Sequence, residues 1–354
     1  MSMSKVAQAL SRVYESLLPQ REDLVFLLSC QGEAELQGIF SFADKVRAEF
    51  AGEGILLRAI IEFSNACKNS CLYCGLNAHN QTLPRYRLSR QEILEAASYA
   101  ASQRIKTVVL QSGEDQGPSV AWLADIIREI KRSFDMAVTL SVGERPRRDY
   151  KAWKDAGADR YLLKIETGNR LLYRALHPGG ESFENRLRCL RDLFELGYQV
   201  GSGNIIGLKG QTIAMIAEDI LFFKQHDFDM IGIGPFIPHP QTGLSECVPA
   251  DVRLVLKTLA LARIVTKRAH LPATSALGSL EKDFRPEGLQ SGANVVMPNF
   301  TPQPYRRMYE IYPHKRCVDE PVGSCAGCLE TMAVSIGRSI DYSRGDAILS
   351  LDKR

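Results

Sequence analysis

The sequence has no long apolar run. Nowhere do ~18 apolar residues follow one another, so no membrane-spanning helix is expected. It has no excess of either charge. The 44 Lys and Arg against 41 Asp and Glu give a net +3, spread along the chain. That balance argues against nucleic acid or an anionic membrane as a partner. The N-terminus, "MSMSKVAQALSRVYESLLPQREDL", lacks the apolar core of an export signal, and a cytoplasmic location is expected. There is no low-complexity tract and no Pro/Gly linker long enough to mark a domain break. The most informative absence is local. "SNACKNSCLYCGLNAHN" (64–80) holds Cys67, Cys71 and Cys74 but no fourth cysteine.

At 354 residues the chain is long enough for two domains or for one α/β barrel. With 45% hydrophobic and 24% charged residues it has the make-up of a soluble globular protein. Its nine cysteines are an odd number, and six fall in two triplets. A secreted disulfide protein of this size does not group them so, whereas metal or cluster ligation does. The scattered Cys30, Cys189 and Cys247 read as small buried apolar side chains.

Residues 1–52 read as helices, from apolar residues at helical spacing. Strands and helices then alternate. Short β-branched runs fall at 55–64, 106–112, 136–142, 159–166, 199–207, 229–236, 271–277 and 294–298. Amphipathic helical segments separate them, the first N-capped by Ser89 and a weak one over 279–290. Alternation of this kind means βαβ units and a parallel sheet. Eight units in ~250 residues fit a closed (β/α)8 barrel, with a doubly wound open sheet as the alternative. The division expected is an N-terminal helical segment (1–52), an α/β barrel (53–301) and a C-terminal extension (302–354).

In such barrels the active site lies where the strands end. Polar residues gather at those positions. The first strand ends in the cysteine triplet, the second in "QSGED" (111–115), the third in "SVGERP" (141–146) and the fourth in "KIET" (164–167). The later ones end in "GNIIGLKGQT", "GPFIPHPQT", "TSALGS" and "MPNFTP".

A closed zinc site takes four ligands, and His79 would have to complete Cys67, Cys71 and Cys74. A 4Fe–4S cluster held by three thiolates instead leaves one iron open to a small molecule. The C-x3-C-x2-C spacing, with Tyr73 before the last cysteine, resembles the signature of radical S-adenosylmethionine (SAM) enzymes. That resemblance implies SAM chelating the open iron and cleaving reductively to methionine and a 5′-deoxyadenosyl radical. It also implies SAM contacts from Tyr73, Gln111, Ser112, Gly113, Glu114 and Ser141. Glu114 would accept from the ammonium, Glu166 would meet the ribose or sulfonium, and Arg186 would grip the carboxylate. A guanidinium fork suits two oxygens.

A second triplet, "RCVDEPVGSCAGC", contains Cys317, Cys325 and Cys328. It reads as an auxiliary iron–sulfur cluster, or as a structural zinc completed by a residue such as His314. With both triplets, the chain resembles the HydE family, the radical SAM maturases that work on the dithiolate bridge of the FeFe-hydrogenase H-cluster. The resemblance runs from about residue 20 to residue 345 through "RAIIEFSNACKNSCLYCGLN", "TVVLQSGED", "HDFDMIGIGPFIPHP" and "GANVVMPN". The family is similar to biotin synthase in fold. It implies an organometallic iron–cysteine–carbonyl–cyanide precursor as substrate, an electron-donor protein and other hydrogenase maturation proteins as partners. An inner cavity would hold the precursor, lined by Ser112, Thr139, Ser141, Thr274, Ser275, Met297 and Tyr312, with Arg160 and Lys164 as cationic anchors.

Two positions depart from the pattern of relatives. Lys164–Ile165 stands where Arg-His is common, and Lys209 where a proline is common. Lysine lacks the bidentate fork, so the grip on an anion differs. A mutase similar to methylornithine synthase and a non-catalytic iron–sulfur scaffold are the competing readings.

Overall fold

The computed structural model describes residues 4–320 and 324–348, with side chains left out at 324–326. Strands β1 (Ile55–Leu57), β2 (Ala59–Ser64), β3 (Thr107–Ser112), β4 (Ala137–Ser141), β5 (Arg160–Leu162), β6 (Gln199–Ile206), β7 (Met230–Pro235), β8 (Val295–Val296) and β9 (Ile340–Asp341) alternate with helices. β2 to β7 form one parallel sheet in chain order. Its register runs through Ala59↔Val108, Thr107↔Ala137, Thr139↔Arg160, Arg160↔Gln199 and Gly201↔Met230.

The barrel closes through backbone hydrogen bonds. Ile231 N–H donates to the His270 carbonyl (3.0 Å) and Ala273 N–H to that of Val295 (2.9 Å). Arg58 N–H donates to Val296 (3.1 Å) and Ile60 N–H to Pro298 (2.9 Å). The eight-fold alternation read from the sequence therefore holds, in a (β/α)8 barrel of the TIM type. The expected strand at 271–277 needs correction. The ladder there covers only the residues up to Ala273, and Ser275–Gly278 turn into a short helix capped by the Thr274 hydroxyl. Three other details differ. The weak helix is confined to Arg285–Gln290, an extra helix Arg170–Leu176 precedes the expected one at Phe183–Glu195, and β9 adds to β1 from the C-terminal segment.

Local chemistry explains the helix starts. Ser89 and Glu92 form a reciprocal capping box. Ser119, Ser182 and Thr212 accept from the third N–H of the helices they begin. The strands are buried almost end to end, as expected of a parallel sheet covered on the outside. In β3, β4 and β5 burial relaxes at the C-terminal end: Gln111 and Ser112, Ser141 and Leu162 are half-buried, while β6 is half-buried at Gln199 and Ile205. That gradient marks the open end of the barrel.

Helices Lys5–Glu15, Arg21–Ser29 and Glu33–Ala51 pack beside the helix Val252–Thr266. The Lys257 ammonium is buried there and donates to the Cys30 carbonyl (2.8 Å). The other end of the barrel is plugged by the C-terminal segment. Thr107 Oγ1 donates to the Arg344 carbonyl (2.8 Å), and His270 Nε2 lies 2.9 Å from the Asp346 carbonyl. Among the described residues no helix is long and apolar enough to cross a membrane.

Candidate active site

A cavity of about 360 Å³ runs from the C-terminal rim into the barrel. Cys67, Cys71, Tyr73 and Cys74 line it from the loop after β2. Gln111, Ser112 and Glu114 come from the end of β3, Thr139 and Ser141 from β4, and Lys164 and Glu166 from just past β5. Arg186, Thr274, Ser275, Met297 and Tyr312 line it as well, so all of the residues expected there but Gly113 and Arg160 meet in it. Residues spread over about 250 positions of sequence thus meet in one space.

The cysteine loop is held from several sides. Lys68 N–H donates to the Glu114 carbonyl (3.1 Å), and Glu114 N–H points at Cys67 Sγ (3.4 Å). On its other flank Leu72 N–H donates to the Leu176 carbonyl (3.0 Å), and Ser70 N–H to Glu181 Oε1 (3.0 Å). Tyr73 Oη lies 3.0 Å from His177 Nε2. His177 Nδ1 meets the Tyr173 carbonyl at 2.7 Å, and burial lowers the imidazole pKa, so the neutral ring donates to Tyr173 and accepts from Tyr73. Gly75 is wedged under the C-terminal extension. A Cβ there would lie 2.2 Å from the Glu310 carbonyl oxygen.

The thiols share one electrostatic problem. Burial, then Cys74 and Cys67, push the Cys71 thiol well above its ordinary pKa. Burial, then Cys67, push Cys74 up to about 12. Three such groups become thiolates together only when positive charge sits among them. Among the described residues no three His, Cys, Asp or Glu side chains converge as a single-ion site would need, and His79 is exposed on the surface.

The carboxylates are differently placed. Glu114 is buried and pairs with Lys68 (2.9 Å), while its Oε2 accepts from the Asn69 side chain (3.2 Å) and Glu144 N–H (3.0 Å). Glu166 has a left-handed φ of +62° and lies 3.0 Å from Lys164 Nζ. The angle of that approach leaves its buried Oε2 without a hydrogen bond. Arg186 donates through Nε to Glu144 Oε1 (2.5 Å) and through Nη1 to the Lys164 carbonyl. Glu144 and His177 were not singled out in the sequence, although Glu144 stands in the quoted "SVGERP".

Gly113 does not line the cavity; it lets the β3 loop approach the cysteine loop. Arg160 requires a correction. It is the first residue of β5 and so sits at the plugged end, 0% exposed. Its guanidinium donates to Asp346 (2.7 Å), Thr107 (3.0 Å) and the Arg344 carbonyl (2.8 Å), and no part of it reaches the cavity. The cation at the deep end is Arg58. It donates to Met230 Sδ (2.7 Å) and the Gly345 carbonyl (3.3 Å), and its Nε has no hydrogen-bond partner. Burial, then Arg160, lower it to about 9, so it stays charged at neutral pH. An arginine inside "ILLRAIIEFS" was the available signal, because charge within a buried strand is costly unless used. Of the two departures, Ile165 is buried outside the cavity lining and Lys209 is exposed on the surface.

Cys317 and Cys328 border a second cavity of about 510 Å³. The side chain of Cys325 lies outside the described residues. His314 is exposed and not part of that lining. Ile60, Glu62, Ser275 and Met297 face both cavities, and Lys315 pairs with Glu62 in the wall between them.

Comparison with known proteins gives four relationships. The Radical SAM superfamily model matches residues 61–223. The FeFe hydrogenase maturase subunit HydE of Thermotoga maritima is 49% identical over 90% of this chain and 91% of its own length. The 3-methylornithine synthase of Methanosarcina acetivorans is 29% identical over 80% of this chain and 81% of its own. A crystal structure of methylornithine synthase superposes with a TM-score of 0.82, covering 96% of this chain and 100% of that one, at 24% identity. That likeness speaks for the barrel alone.

Proposed function

The chain belongs to the HydE family of FeFe-hydrogenase maturases, radical SAM enzymes, and from that premise we propose that Cys67, Cys71 and Cys74 hold the 4Fe–4S cluster. Bound there, the cluster and SAM supply a one-electron reductive cleavage of the S–C5′ bond. One observation carries the reading: three half-buried thiols open into the same barrel-end cavity as Glu166, whose Oε2 is ion-paired with Lys164 but accepts no hydrogen bond. The residues fit the group. Thiolates this close repel one another and call for a cationic cluster between them, and Glu114 N–H stands ready to donate to the Cys67 sulfur.

The rim residues would hold SAM: Glu114 would accept from its ammonium, Glu166 would meet its ribose or sulfonium side, and Arg186, already paired with Glu144, would offer its remaining donors to the carboxylate. Tyr73, held by His177, fixes the wall beside Cys74, and Gln111, Ser112 and Ser141 offer polar contacts at the strand ends. The precursor occupies the deeper part, between Lys164 at the top and Arg58 at the bottom. Thr139, whose buried hydroxyl has no partner, and the Ser275–Tyr312 pair (2.9 Å) supply donors for carbonyl, cyanide or carboxylate oxygen and nitrogen. The substrate is thereby an anion, and the product is a part of the dithiolate-bridged di-iron unit.

The second triplet holds an auxiliary iron–sulfur cluster in this reading, supported by Cys317 and Cys328 bordering one cavity. An electron donor and the other maturation proteins act in the cytoplasm with this chain. In a reaction containing apo-hydrogenase and the remaining maturation proteins, hydrogenase activity is expected only when this protein is supplied. Activation of the same mixture without it would overturn the assignment.

Arg58→Met tests the anion reading. Losing a hydrogen bond to a charged group costs about 1.5–3 kcal/mol, so the KM for the precursor should rise by roughly tenfold to a hundredfold. Cleavage of SAM without precursor should not change, because Arg58 lies at the far end from the thiols. An unchanged KM would contradict an anion bound at this depth.

A further inference from the structure

Asp219 sits midway along the helix Ile213–His226, outside the barrel wall and 0% exposed. It lines neither cavity. Its Oδ1 accepts from Gly168 N–H at 2.6 Å and its Oδ2 from Asn204 Nδ2 at 2.8 Å. Both donors are neutral. A buried carboxylate without a cation is expensive, and burial raises its pKa to about 7. An apolar residue would fill the space at lower cost, but both donors would then be left unpaired.

What the two donors share is Glu166. Gly168 lies two residues on, in the same turn. Asn204 is the residue bridged to Glu166 across the seam between β5 and β6. Glu166 N–H donates to the Gly203 carbonyl (3.0 Å), and Ile205 N–H donates to that of Glu166 (3.0 Å). Glu166 holds a left-handed φ of +62°, which a glutamate keeps only where its surroundings impose it. Gly168 admits the close carboxylate: a Cβ there would lie 3.0 Å from Asp219 Oδ1.

We propose that Asp219 is a positioning residue: by clamping Gly168 and Asn204 it locks the strained turn that presents the Glu166 carboxylate to SAM. The proposal rests on the reading of Glu166 as a SAM contact. It gives the cost of burying Asp219 a purpose that packing does not.

The experiment compares Asp219→Ala, Asp219→Asn and Glu166→Ala in the reconstituted protein. SAM affinity is measured by equilibrium binding, precursor affinity separately, and backbone order by amide hydrogen exchange. Asp219→Ala should weaken SAM about tenfold, the usual cost of losing a supporting contact behind a ligand. Exchange should rise in residues 165–169 while precursor affinity and exchange elsewhere in the sheet hold. Asp219→Asn should stay within about twofold of wild type. Its carbonyl keeps Gly168, and its amide donates to Asn204 Oδ1, now without a partner, once that side chain turns over. Should Asp219→Ala fail to fold, Asn204→Ala removes half of the clamp and should give the same pattern at smaller size. Unchanged SAM affinity in a folded clamp variant, or equal losses for SAM and precursor with exchange rising everywhere, overturns the proposal. If Glu166→Ala leaves SAM affinity intact, the reading of Glu166 falls first. If Glu166→Ala weakens SAM and the clamp variants do not, only the positioning role falls.

Discussion

Cys71→Ala is expected to abolish SAM cleavage while leaving the barrel folded. Cys71 is the middle thiol of the three, is half-buried beside the other two and sits on a loop that other contacts hold in place. Its loss leaves two thiols for a cluster that needs three. Residues that merely support a metal ligand cost 10–100-fold when removed, so the ligand itself should cost at least about 10³-fold in SAM turnover. Iron and sulfide content after reconstitution should fall with it. The loop's backbone ties, Leu72 to Leu176 and Ser70 to Glu181, do not depend on the thiol, so the circular dichroism and melting profile should change little. Wild-type turnover in the variant would show that the electron is delivered elsewhere.

Gly113→Ala should be nearly as damaging, for a reason that involves no chemistry. A methyl group there would lie 2.3 Å from the Ala66 carbonyl oxygen and 2.9 Å from Cys67 Cβ. Neither atom is the far end of a flexible side chain, so one loop must move away from the other. Overpacking of this kind costs about 1–3 kcal/mol even where the surroundings adjust. Here the adjustment breaks the contact of Glu114 N–H with Cys67 Sγ and shifts Glu114 itself, so cluster content and SAM affinity should fall together, affinity by at least about tenfold. Gly38, with open space around its Cβ on the helix Glu33–Ala51, is the control. Gly38→Ala should raise stability by up to about 1 kcal/mol and leave SAM binding alone. Equal SAM binding by Gly113→Ala and wild type would mean that the two loops are not coupled.

The sequence was read best where its pattern and its chemistry agree. The apolar runs and their alternation with helices give the barrel, and the polar strand ends give its open face. The thiols, Glu114, Glu166 and Lys164 follow from that geometry, because a residue just past a parallel strand has one place to be. Arg160 shows the limit. As a cation near a strand it suited an anion site, but being first in β5 rather than last puts it at the plugged end, against Asp346. Asp346 lies 186 residues on, and no local pattern links them. The segment after His270 misled in a similar way. "LPATSAL" is apolar enough for a strand, yet Thr274 caps a helical turn within it. Asp219 and His177 lay beyond reach because their meaning is in their partners. Each is a single polar residue on a helix or at its end, a pattern met on any surface until burial and hydrogen bonds are known.

The central claim is that this barrel cleaves SAM in order to act on an iron–cysteine precursor. The most direct test counts 5′-deoxyadenosine and methionine from the anaerobically reconstituted, reduced protein, with either the iron–cysteine–carbonyl–cyanide precursor or lysine added. The account predicts that the precursor raises turnover above the level with SAM alone and that lysine does not. Turnover raised by lysine and not by the precursor would contradict it and make the chain an amino-acid mutase.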